Sequence, residues 1–492
     1  MDPRRRHSTS NVWIGTMMIL FLIFLTISLS SSKQNRILRS SVTRQISSLS
    51  IPNRHSRRRR GEGRRDVSVH AGVPKRIGII GSGPAGLSMA RALQYLDTGA
   101  EEVLVFDRSN ALQPNLGGGL QLNGGAAVLA KMGLGKEVKE AGLPVKSILS
   151  RTVRGTKLLS LDIQDIASKE PSLMFEGTPM VFTIMRDSLQ RLLADSIPSE
   201  SIVLGKTLVH VSECNDNENG AVKCTFEDGT TKDFDLLIGA DGIRSKVKQE
   251  VLRHSRKAEY SNIRIQFGVA KGWNRGNDGE IHQWFGDGTY ALTAQYRGLN
   301  SEPFEMIALV FRDENDNENS NWDTGEVKKM CVDRLKQTNN PQEVVDLAQR
   351  CDRFFDVGVY YYPSLQPWTS ESGNVVLIGD AAHAMPPFLG QGANQAIQDA
   401  YSLASKLADL KKGRFSTVKN ALDAYEKQRK IPTTLIQLES RLLGILETAG
   451  DSSVSKDTGI VLPGFVRDAF FYATGKLGVA EQVFLKGATP KV

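Results

Sequence analysis

The chain has 492 residues, of which 40% are hydrophobic and 24% are charged. That length accommodates two or three domains, and the composition excludes a disordered chain and a multi-span membrane protein. The net charge of +8 comes from the N-terminal segment: residues 1–76 hold 16 Lys and Arg against three acids, whereas the remainder holds 46 basic and 51 acidic residues. We therefore expect no nucleic-acid partner for the main body.

Residues 1–73 have the features of a targeting presequence or a signal anchor. Three arginines, Arg4 to Arg6, precede an apolar run at residues 12–29, which as a helix would span about 27 Å, close to the thickness of a bilayer core. Residues 30–65 are rich in Ser and Arg, with Glu62 as the single acid. This order favours plastid import through a two-part presequence. The alternative is an ER or other membrane location, anchored through residues 12–29.

The first motif is a short apolar strand at residues 77–80 that runs into a glycine turn. Gly81, Gly83 and Gly86 fit the pattern G-x-G-x-x-G, and the helix-forming stretch 87–96 follows. In such a turn the first glycine allows the tight bend, the second lets the backbone approach a pyrophosphate, and the third allows close packing of helix on strand. The helix N-terminus then offers free N–H groups to the phosphates. The pattern predicts a dinucleotide site.

A second strand at residues 102–106 ends in Asp107 and Arg108. An acid at this point can accept hydrogen bonds from the ribose hydroxyls of an adenine dinucleotide. The strand, the turn and the acid together strengthen the prediction of a dinucleotide site, but they leave FAD, NAD and NADP open.

Two more apolar strands end in polar turns further along the chain. The first begins at Phe234 and reaches Asp241 and Gly242; the second, at residues 375–378, reaches Gly379 and Asp380. A Pro-Gly loop after Asp380 leads into a long predicted helix that starts near Ala393.

At these residues the chain resembles the flavin monooxygenases of the para-hydroxybenzoate and salicylate hydroxylase type, which are related to the zeaxanthin epoxidases. It has their glycine-rich turn, D-G motif and G-D motif in the same order, between residues 76 and 441. The resemblance implies an α/β fold in which a Rossmann-type FAD-binding domain is interleaved with a mixed or antiparallel substrate-domain sheet, followed by a helical C-terminal tail. We expect the FAD domain at 74–140, 183–255 and 366–410, the sheet at 141–182 and 256–365, and the helices at 411–492.

The resemblance also implies the residues that would bind FAD. Asp380, after Gly379, would hydrogen-bond the ribityl chain, Arg186 and Gln121 would border the flavin, and Asp241 and Gly242 would lie near the pyrophosphate. The loop beside the isoalloxazine ring would contain Pro387, Gly390, Gln391 and Gly392, and the last three would contribute backbone N–H groups. The helix N-terminus there would stabilise negative charge on the reduced ring.

By the same resemblance, the enzyme would use NADPH or NADH, FAD and O2 to insert one oxygen atom into a small aromatic or isoprenoid substrate. Carotenoid epoxidation in a plastid and an FAD-dependent reductase or cyclase reaction are the alternatives, and a non-catalytic adaptor is a third class. No side chain is predicted as the catalytic base, and His383 is interpreted as structural. Trp284 and Phe285, at a predicted strand end, are candidates for the pocket wall, whereas Tyr360 to Tyr362 are interpreted as core and surface residues.

Metal and disulfide chemistry is not expected. Cys214, Cys224, Cys331 and Cys351 lack the spacing of a zinc site or a disulfide framework. The Asn/Asp-rich stretches at 215–220 and 313–321 lack EF-hand spacing, and both are interpreted as hairpin loops.

Overall fold

The computed structural model describes residues 72–112, 118–213, 222–252, 256–274, 279–316, 323–363, 366–450 and 462–492. The predicted presequence, with its apolar run at 12–29, lies outside these residues, as do Cys214 and the stretch 215–220. Within the described ranges, no helix combines the length and the apolar character needed to cross a membrane.

A five-stranded parallel sheet carries the three sequence motifs. Its order is Ile202–Val203, Glu102–Phe106, Arg76–Ile80, Leu236–Gly239, Val375–Leu377. All of its strand pairs are parallel, so the carboxyl ends lie at one edge. The central strands are apolar and buried, as expected for a parallel sheet covered on both faces. All five strands come from the segments predicted for the FAD domain.

Helices cover this sheet, and two of them meet at its carboxyl edge. The Pro84 helix (Pro84–Tyr95) follows the glycine turn, and the Gly392 helix (Gly392–Lys411) packs against it. The other helices of these segments are Gly124–Leu129, Gly135–Ala141, Arg186–Asp195, Lys246–Val251 and Asp380–His383.

The second layer is a seven-stranded mixed sheet. Its order is Arg353–Tyr361, Glu259–Lys271, Pro303–Arg312, Thr289–Arg297, Glu280–Phe285, Ser147–Thr152, Lys157–Asp162. All neighbours are antiparallel except Glu280–Phe285 with Ser147–Thr152, which run parallel. The predicted fold class is confirmed.

The two faces of the mixed sheet pack against different partners. The outer face is covered by helices Thr324–Gln337 and Gln342–Arg350, and Trp284 is buried in that cluster. The inner face carries Phe267 and Met306 towards Gly118, next to the strand that holds Gln121. The prediction that Trp284 lines the pocket is therefore wrong, because side chains alternate along a strand and Trp284 faces the other side.

Phe285 does lie on the inner face, but its ring stacks on Phe471 at a centroid distance of 4.7 Å. It packs against the C-terminal helices rather than standing free at a strand end. That Phe285 lines the pocket therefore stays a prediction.

Three helices are described in the C-terminal region, on either side of the gap at 451–461: the Val418 helix (Val418–Glu447), Gly464–Lys476 and Val479–Ala488. They pack back onto the body of the protein: the backbone N–H of Lys491 donates to Gln398 Oε1 in the Gly392 helix at 2.9 Å. A Cβ on Gly124 would overlap the carbonyl oxygen of Ala488. These helices complete the core instead of trailing from it.

The smaller elements connect the two layers. Two three-stranded sheets consist of Leu208–Glu213, Val222–Phe226 and Thr231–Phe234, and of Gly119–Leu122, Phe182–Met185 and Leu143–Pro144. A two-stranded sheet pairs Met174–Phe175 with Thr178–Pro179, and helix Ile163–Ser168 precedes it. The antiparallel pair around 215–220 agrees with the predicted hairpin. The second stretch predicted as a hairpin loop is preceded by strand Pro303–Arg312 and followed by helix Thr324–Gln337, so it does not connect two strands.

Candidate active site

The glycine turn brings the first strand, the Pro84 helix and the D-G motif into contact. Gly81 has φ +108°, and a Cβ there would overlap the carbonyl oxygen of Ala240 and lie 3.1 Å from Asp241 Cα. A Cβ on Gly86 would overlap the carbonyl oxygen of Gly81. Both positions therefore need glycine for protein packing alone.

Gly83 differs from these two glycines, because a Cβ there would meet no atom within 4 Å. Gly83 precedes the first turn of the Pro84 helix, which has no side-chain cap and no acid. Gly242, with φ +79°, also faces open space. Free helix N–H groups beside an open cradle form a site for an anion such as a pyrophosphate.

Asp107 fixes the glycine turn from the neighbouring strand. Its Oδ2 accepts hydrogen bonds from the N–H and Oγ of Ser82 at 2.7 and 2.8 Å, and its Oδ1 accepts from the N–H of Ser109 at 2.9 Å. Burial alone would raise its pKa, but these hydrogen bonds outweigh burial and lower it. The ionised carboxylate keeps acceptor capacity for a ribose hydroxyl. Arg108 is exposed and makes no hydrogen bond or ion pair with any described residue.

Asp241 presents a free carboxylate oxygen next to the glycine turn. Its Oδ2 accepts from the N–H groups of Lys246 and Val247 at 2.6 and 3.1 Å, whereas its Oδ1 is buried without a hydrogen-bond partner. Burial raises the pKa of this carboxyl group. An unsatisfied buried oxygen at this point suits a ligand that can donate a hydrogen bond or bring an ordered water.

Asp380 lies at the floor of a cleft beside Arg186. Gly379 has φ +57°, and a Cβ there would lie 3.0 Å from Ala85 Cβ and 3.1 Å from Ala396 Cβ, so the G-D turn contacts both helices. The Asp380 side chain is accessible from the cleft, while the protein encloses it on its other sides. That enclosure raises its pKa, and His383 and Arg186 oppose the rise. Arg186 is itself exposed at the start of helix Arg186–Asp195.

The loop before the Gly392 helix borders Gln121. Pro387 is exposed in a short helical turn, Gly390 has φ +61°, and a Cβ on Gly390 would lie 3.4 Å from Gln121 Oε1. Gln121 Nε2 is buried without a partner, and the Gly392 helix has no side-chain cap and no acid in its first turn. Gln391 is buried, and its Oε1 accepts from Gln395 Nε2 at 3.1 Å. The unpaired amide nitrogen of Gln121 and the free N-terminus of the Gly392 helix thus lie on either side of Gly390.

Asn394 holds this loop together, and the sequence analysis missed it. Its Oδ1 accepts from the N–H groups of Asn123 and Gly125 at 2.8 and 3.0 Å, and its Nδ2 donates to the carbonyl oxygens of Gln121 and Gly390, both at 2.9 Å. One buried side chain therefore joins segments some 270 residues apart in the chain. A sequence signal exists: four polar residues at i, i+1, i+4 and i+5 mark one face of an Ala-rich helix.

A buried ionic network supports the G-D turn, and it explains His383. Asp399 Oδ2 accepts from the N–H of Gly379 at 3.0 Å and pairs with His383 Nε2 at 2.5 Å, while Asp399 Oδ1 accepts from Arg429 Nε at 2.8 Å. Arg429 also donates to the carbonyl oxygen of Lys491 at 3.2 Å. His383 is a structural residue, as interpreted from the sequence. Asp399 is the last of the four polar residues in the pattern that begins at Asn394, whereas Arg429 had no sequence signal beyond its charge.

The tyrosine run 360–362 is also structural. The hydroxyl of Tyr361 donates to Glu259 Oε2 at 3.0 Å, that of Tyr362 donates to the carbonyl oxygen of Ile243 at 2.5 Å, and that of Tyr360 donates to Asp316. Cys224, Cys331 and Cys351 are free and buried. Across the described ranges, no group of His, Cys, Asp and Glu has the arrangement of a metal site.

Contacts join the turns that hold the predicted residues: a Cβ on Gly81 would meet Ala240 and Asp241, one on Gly379 would meet Ala85, and one on Gly390 would meet Gln121. We call the region bordered by these turns the cofactor cleft. One part has an open anion cradle, and the other has unpaired polar atoms on Gln121 and Asp241 and a free helix N-terminus. An adenine dinucleotide with a polar, electron-accepting ring matches these features. The residues present fit FAD.

Comparison with known proteins gives the same result. Residues 75–437 match the family described as "FAD binding domain". The 3-amino-4-hydroxybenzoate 2-monooxygenase of Streptomyces cremeus is 30% identical over 373 residues, covering 75% of this chain and 86% of that protein. The chloroplastic zeaxanthin epoxidase of Spinacia oleracea is 27% identical over 322 residues, covering 60% of this chain and 44% of that protein.

Among solved structures, HpxO of Klebsiella pneumoniae complexed with FAD and uric acid has a similar fold, with a TM-score of 0.66 at 19% identity, covering 84% of this chain and 97% of that one. The family match spans most of the chain and includes every motif described above. The chain therefore belongs to the FAD binding domain family, and it is an FAD-dependent monooxygenase.

Proposed function

We propose that this enzyme uses NADPH or NADH to insert one oxygen atom from O2 into a small aromatic substrate. The observation that carries the substrate class is the inner face of the mixed sheet. There Phe267, Leu292 and Phe355 are only partly buried, whereas most neighbours on that face are fully buried. Partly exposed aromatic and aliphatic side chains above a flavin site form a wall suited to a planar apolar ring. The relative from Streptomyces cremeus acts on an aromatic acid, as its name states.

FAD, when bound, supplies the electron transfer and the reaction with O2. The protein supplies position and charge. The N-terminus of the Gly392 helix would stabilise negative charge on the reduced ring, because its free N–H groups carry a partial positive charge. Asp380 would orient the ribityl chain; enclosure raises the pKa of this carboxyl group, and Arg186 is close enough to oppose part of that rise. The turns at Gly81, Asp241 and Asp380, which follow strands of the parallel sheet, would hold the dinucleotide in one conformation.

The nicotinamide cofactor would bind only transiently. The chain has one glycine-rich dinucleotide fingerprint, which the FAD site uses. We propose that NADPH or NADH reaches the flavin over the D-G turn at Asp241, where the buried Oδ1 has no partner. The test is NADPH oxidation by Asp241→Ala saturated with FAD. Slower oxidation at full FAD content would support this path, and oxidation at the native rate would contradict it.

A second candidate is epoxidation of an isoprenoid such as a carotenoid. The resemblance to zeaxanthin epoxidases and the apolar wall favour it. A reductase or cyclase reaction on the same fold is a third candidate, distinguished by its independence of O2. All three candidate reactions would use the same flavin site, and they would differ in how the residues of the mixed sheet contact the substrate.

We also propose that residues 1–73 direct the protein to a plastid. The apolar run at 12–29 followed by a Ser- and Arg-rich stretch supports this proposal. Anchoring in the ER or another membrane through residues 12–29 is the alternative. A fluorescent fusion of residues 1–73 would distinguish them: plastid fluorescence with removal of the segment supports import, and a stable fusion in the ER membrane contradicts it.

One experiment separates the candidate reactions. The full-length protein is loaded with FAD and given NADPH or NADH with 3-amino-4-hydroxybenzoate, other phenols and carotenoids, while O2 uptake and products are followed. Substrate-stimulated O2 uptake with an oxygenated aromatic product supports the proposal. Turnover without O2 favours the reductase, and an epoxide as the product favours the second candidate.

A further inference from the structure

The C-terminal helix Gly464–Lys476, called the Gly464 helix below, has an apolar face that points into solvent. Phe465, Ala469 and Tyr472 recur at intervals of four and three residues, so they lie on one side of the helix. Phe465 and Tyr472 are 72% and 53% exposed, and Leu477, the residue after the helix, is 64% exposed. Large apolar side chains aligned in this way mark a contact surface.

Exposed apolar residues are concentrated in this part of the chain. Among the residues that the structure describes, ten large hydrophobic side chains are exposed, and six of them lie between residues 431 and 477. The three most exposed, Phe465, Ile431 and Leu477, belong to these six. The exposure is therefore a property of one region of the surface and not a random scatter of single residues.

A groove lies beside the exposed face, between the Gly464 helix and the edge of the mixed sheet. Its volume is about 290 Å³, and it is lined by Tyr472, Gly475 and Lys476 of the helix and by residues 157–160 of the edge strand. Gly475 lets the helix approach the strand, since a Cβ there would lie 2.7 Å from Leu159 Cδ1. Lys157 and Lys476 come from opposite walls and are both exposed, so solvent reaches the groove. No acid is among the described residues that line it.

A third basic residue lies at the tip of the hairpin whose second strand lines the groove. Arg154 is exposed in this turn. The turn lies near the beginning of the Gly464 helix: the N–H of Val153 donates to the carbonyl oxygen of Phe285 at 3.0 Å, and Arg467 of the helix donates to that of the next residue, Gly286, at 2.6 Å. Basic side chains therefore accompany the apolar face towards both ends of the helix.

The sign of this charge is opposite to that of the main body, in which residues 77–492 hold 46 basic and 51 acidic residues. Asp468, the single acid of the Gly464 helix, is paired with Arg467 at 2.9 Å. Exposed aromatic rings flanked by lysine and arginine suit the surface of an anionic bilayer, because the rings enter the interface while the cations attract the headgroups. Charge complementarity thus favours an anionic lipid surface as the partner.

The chain outside the described residues gives a second argument for a bilayer. The apolar run at 12–29 is the predicted membrane anchor, and residues 30–71 connect it to the body. When extended, such a linker reaches more than about 100 Å, so it allows any face of the body to meet the same bilayer. A tether raises the local concentration of the body at the bilayer, and a small contact surface then suffices.

We propose that the Gly464 helix and the adjoining hairpin bind the surface of an anionic lipid bilayer. Phe465, Tyr472 and Leu477 enter the interface, and Lys157 and Lys476 hold the headgroup phosphate of an anionic lipid at the groove. The helix lies on the bilayer and does not cross it. The surface belongs entirely to the main body, so it remains if residues 1–73 are removed, and it does not depend on the reaction at the flavin.

The test uses a local probe in the full-length FAD-loaded protein, because the run at 12–29 contacts bilayers by itself. Ala469→Cys and Met330→Cys are each labelled with an environment-sensitive fluorophore and mixed with vesicles of phosphatidylcholine and phosphatidylglycerol, and the native protein labelled in parallel gives the background. Ala469 lies on the exposed face, whereas Met330 is exposed on helix Thr324–Gln337, which covers the outer face of the mixed sheet. We expect the fluorescence to rise and shift to shorter wavelength at position 469 only.

Charge and ring variants in the labelled Ala469→Cys protein test the assigned roles. Lys157→Gln and Lys476→Gln should each weaken vesicle binding about fivefold, and Lys157→Arg and Lys476→Arg should restore it. Phe465→Ser should weaken binding about tenfold. Lys329→Gln, an exposed lysine beside Met330, is the matched control and should change nothing. All of these side chains are exposed, so flavin content should stay at the native level in every variant.

Four results would overturn the proposal: no response at position 469, an equal response at position 330, an equal response with vesicles of phosphatidylcholine alone, or native binding in both lysine variants. A response at position 469 that depends on protein concentration without vesicles would also overturn it, since a second copy of the chain would then cover the face. Vesicle binding is measured without substrate, NADPH or NADH. Failure of the proposed oxygenation therefore leaves this inference standing.

Discussion

The cofactor cleft and the mixed sheet are built on different principles. In the cleft, the decisive features are backbone features: positive φ at Gly81, Gly379 and Gly390, and two uncapped helix N-termini. On the mixed sheet, the decisive features are side chains on one face, such as Phe267, Leu292 and Phe355, which come from three different strands. A backbone requirement fixes the residue types within a short segment, so it is visible as a sequence motif. A face assembled from distant strands produces no such motif.

This difference suggests that substitutions in the cleft should change flavin affinity, and substitutions on the inner face should change substrate binding at constant flavin content. Each of the following variants tests that division, in order of expected effect.

Asp399→Asn should have the largest effect, because it leaves Arg429 buried without its ionic partner. Loss of one member of a buried pair costs about 3–5 kcal/mol, so we expect a large drop in the free energy of unfolding and loss of flavin. Chemical denaturation of the FAD-loaded protein measures it. Unchanged stability would show that the network does not support the G-D turn.

Asp399 should also make the stability of the protein depend on pH. Burial alone would raise the pKa of Asp399, but His383 and Arg429 outweigh burial and lower it. A lowered pKa in the folded state contributes stability above the unfolded pKa of about 3.9, and this contribution is lost as the pH falls through the folded value. The native protein should therefore lose stability below about pH 4 more steeply than Asp399→Asn. Parallel curves would contradict the assignment.

Asn394→Ala should follow, since it removes four hydrogen bonds that join the Gln121 strand to the loop at Gly390. We expect a loss of about 2–3 kcal/mol in stability and weaker FAD binding, measured by thermal unfolding and by FAD titration. Asn420→Ala, an exposed position, is the control. Normal FAD affinity in Asn394→Ala would show that the loop does not contribute to FAD binding.

Asp380→Ala should weaken FAD binding about tenfold with little change in the stability of the apoprotein, because the side chain lies open in the cleft and no described residue donates a hydrogen bond to it. The exposed Asp423→Ala serves as its control. Equal FAD affinity in both variants would show that Asp380 does not take part in FAD binding.

Phe267→Leu should have the smallest effect, about a few-fold in KM for an aromatic substrate, with full flavin content. Phe267 faces the cleft and is partly exposed. Trp284→Phe, on the outer face, should lower stability and leave KM unchanged, since Trp284 packs under the helices. If Trp284→Phe changed KM and Phe267→Leu did not, the assignment of the two faces would be reversed.

The sequence predicts the cofactor side well, for reasons visible in Gly81, Gly86 and Asp107. Each of these residues belongs to a short strand-and-turn motif: Gly81 has positive φ, a Cβ on Gly86 would overlap Gly81, and Asp107 accepts a hydrogen bond from Ser82 at the strand end. Asn394 and Arg429 were missed because their partners lie in distant segments, and a polar residue on a helix does not reveal what it faces. Trp284 was misassigned because a strand's alternation shows two faces without showing which one the flavin borders.

The central claim is that three turns at strand ends enclose one dinucleotide, and Gly83 tests it most directly. A Cβ at Gly83 meets no protein atom within 4 Å, so we expect Gly83→Val to fold like the native protein and yet exclude the pyrophosphate. The measurement is FAD per folded chain after gel filtration of the full-length protein, with near-ultraviolet circular dichroism as the check on folding. We expect a folded, colourless Gly83→Val beside a yellow native protein. Full flavin occupancy in a folded Gly83→Val would contradict the claim.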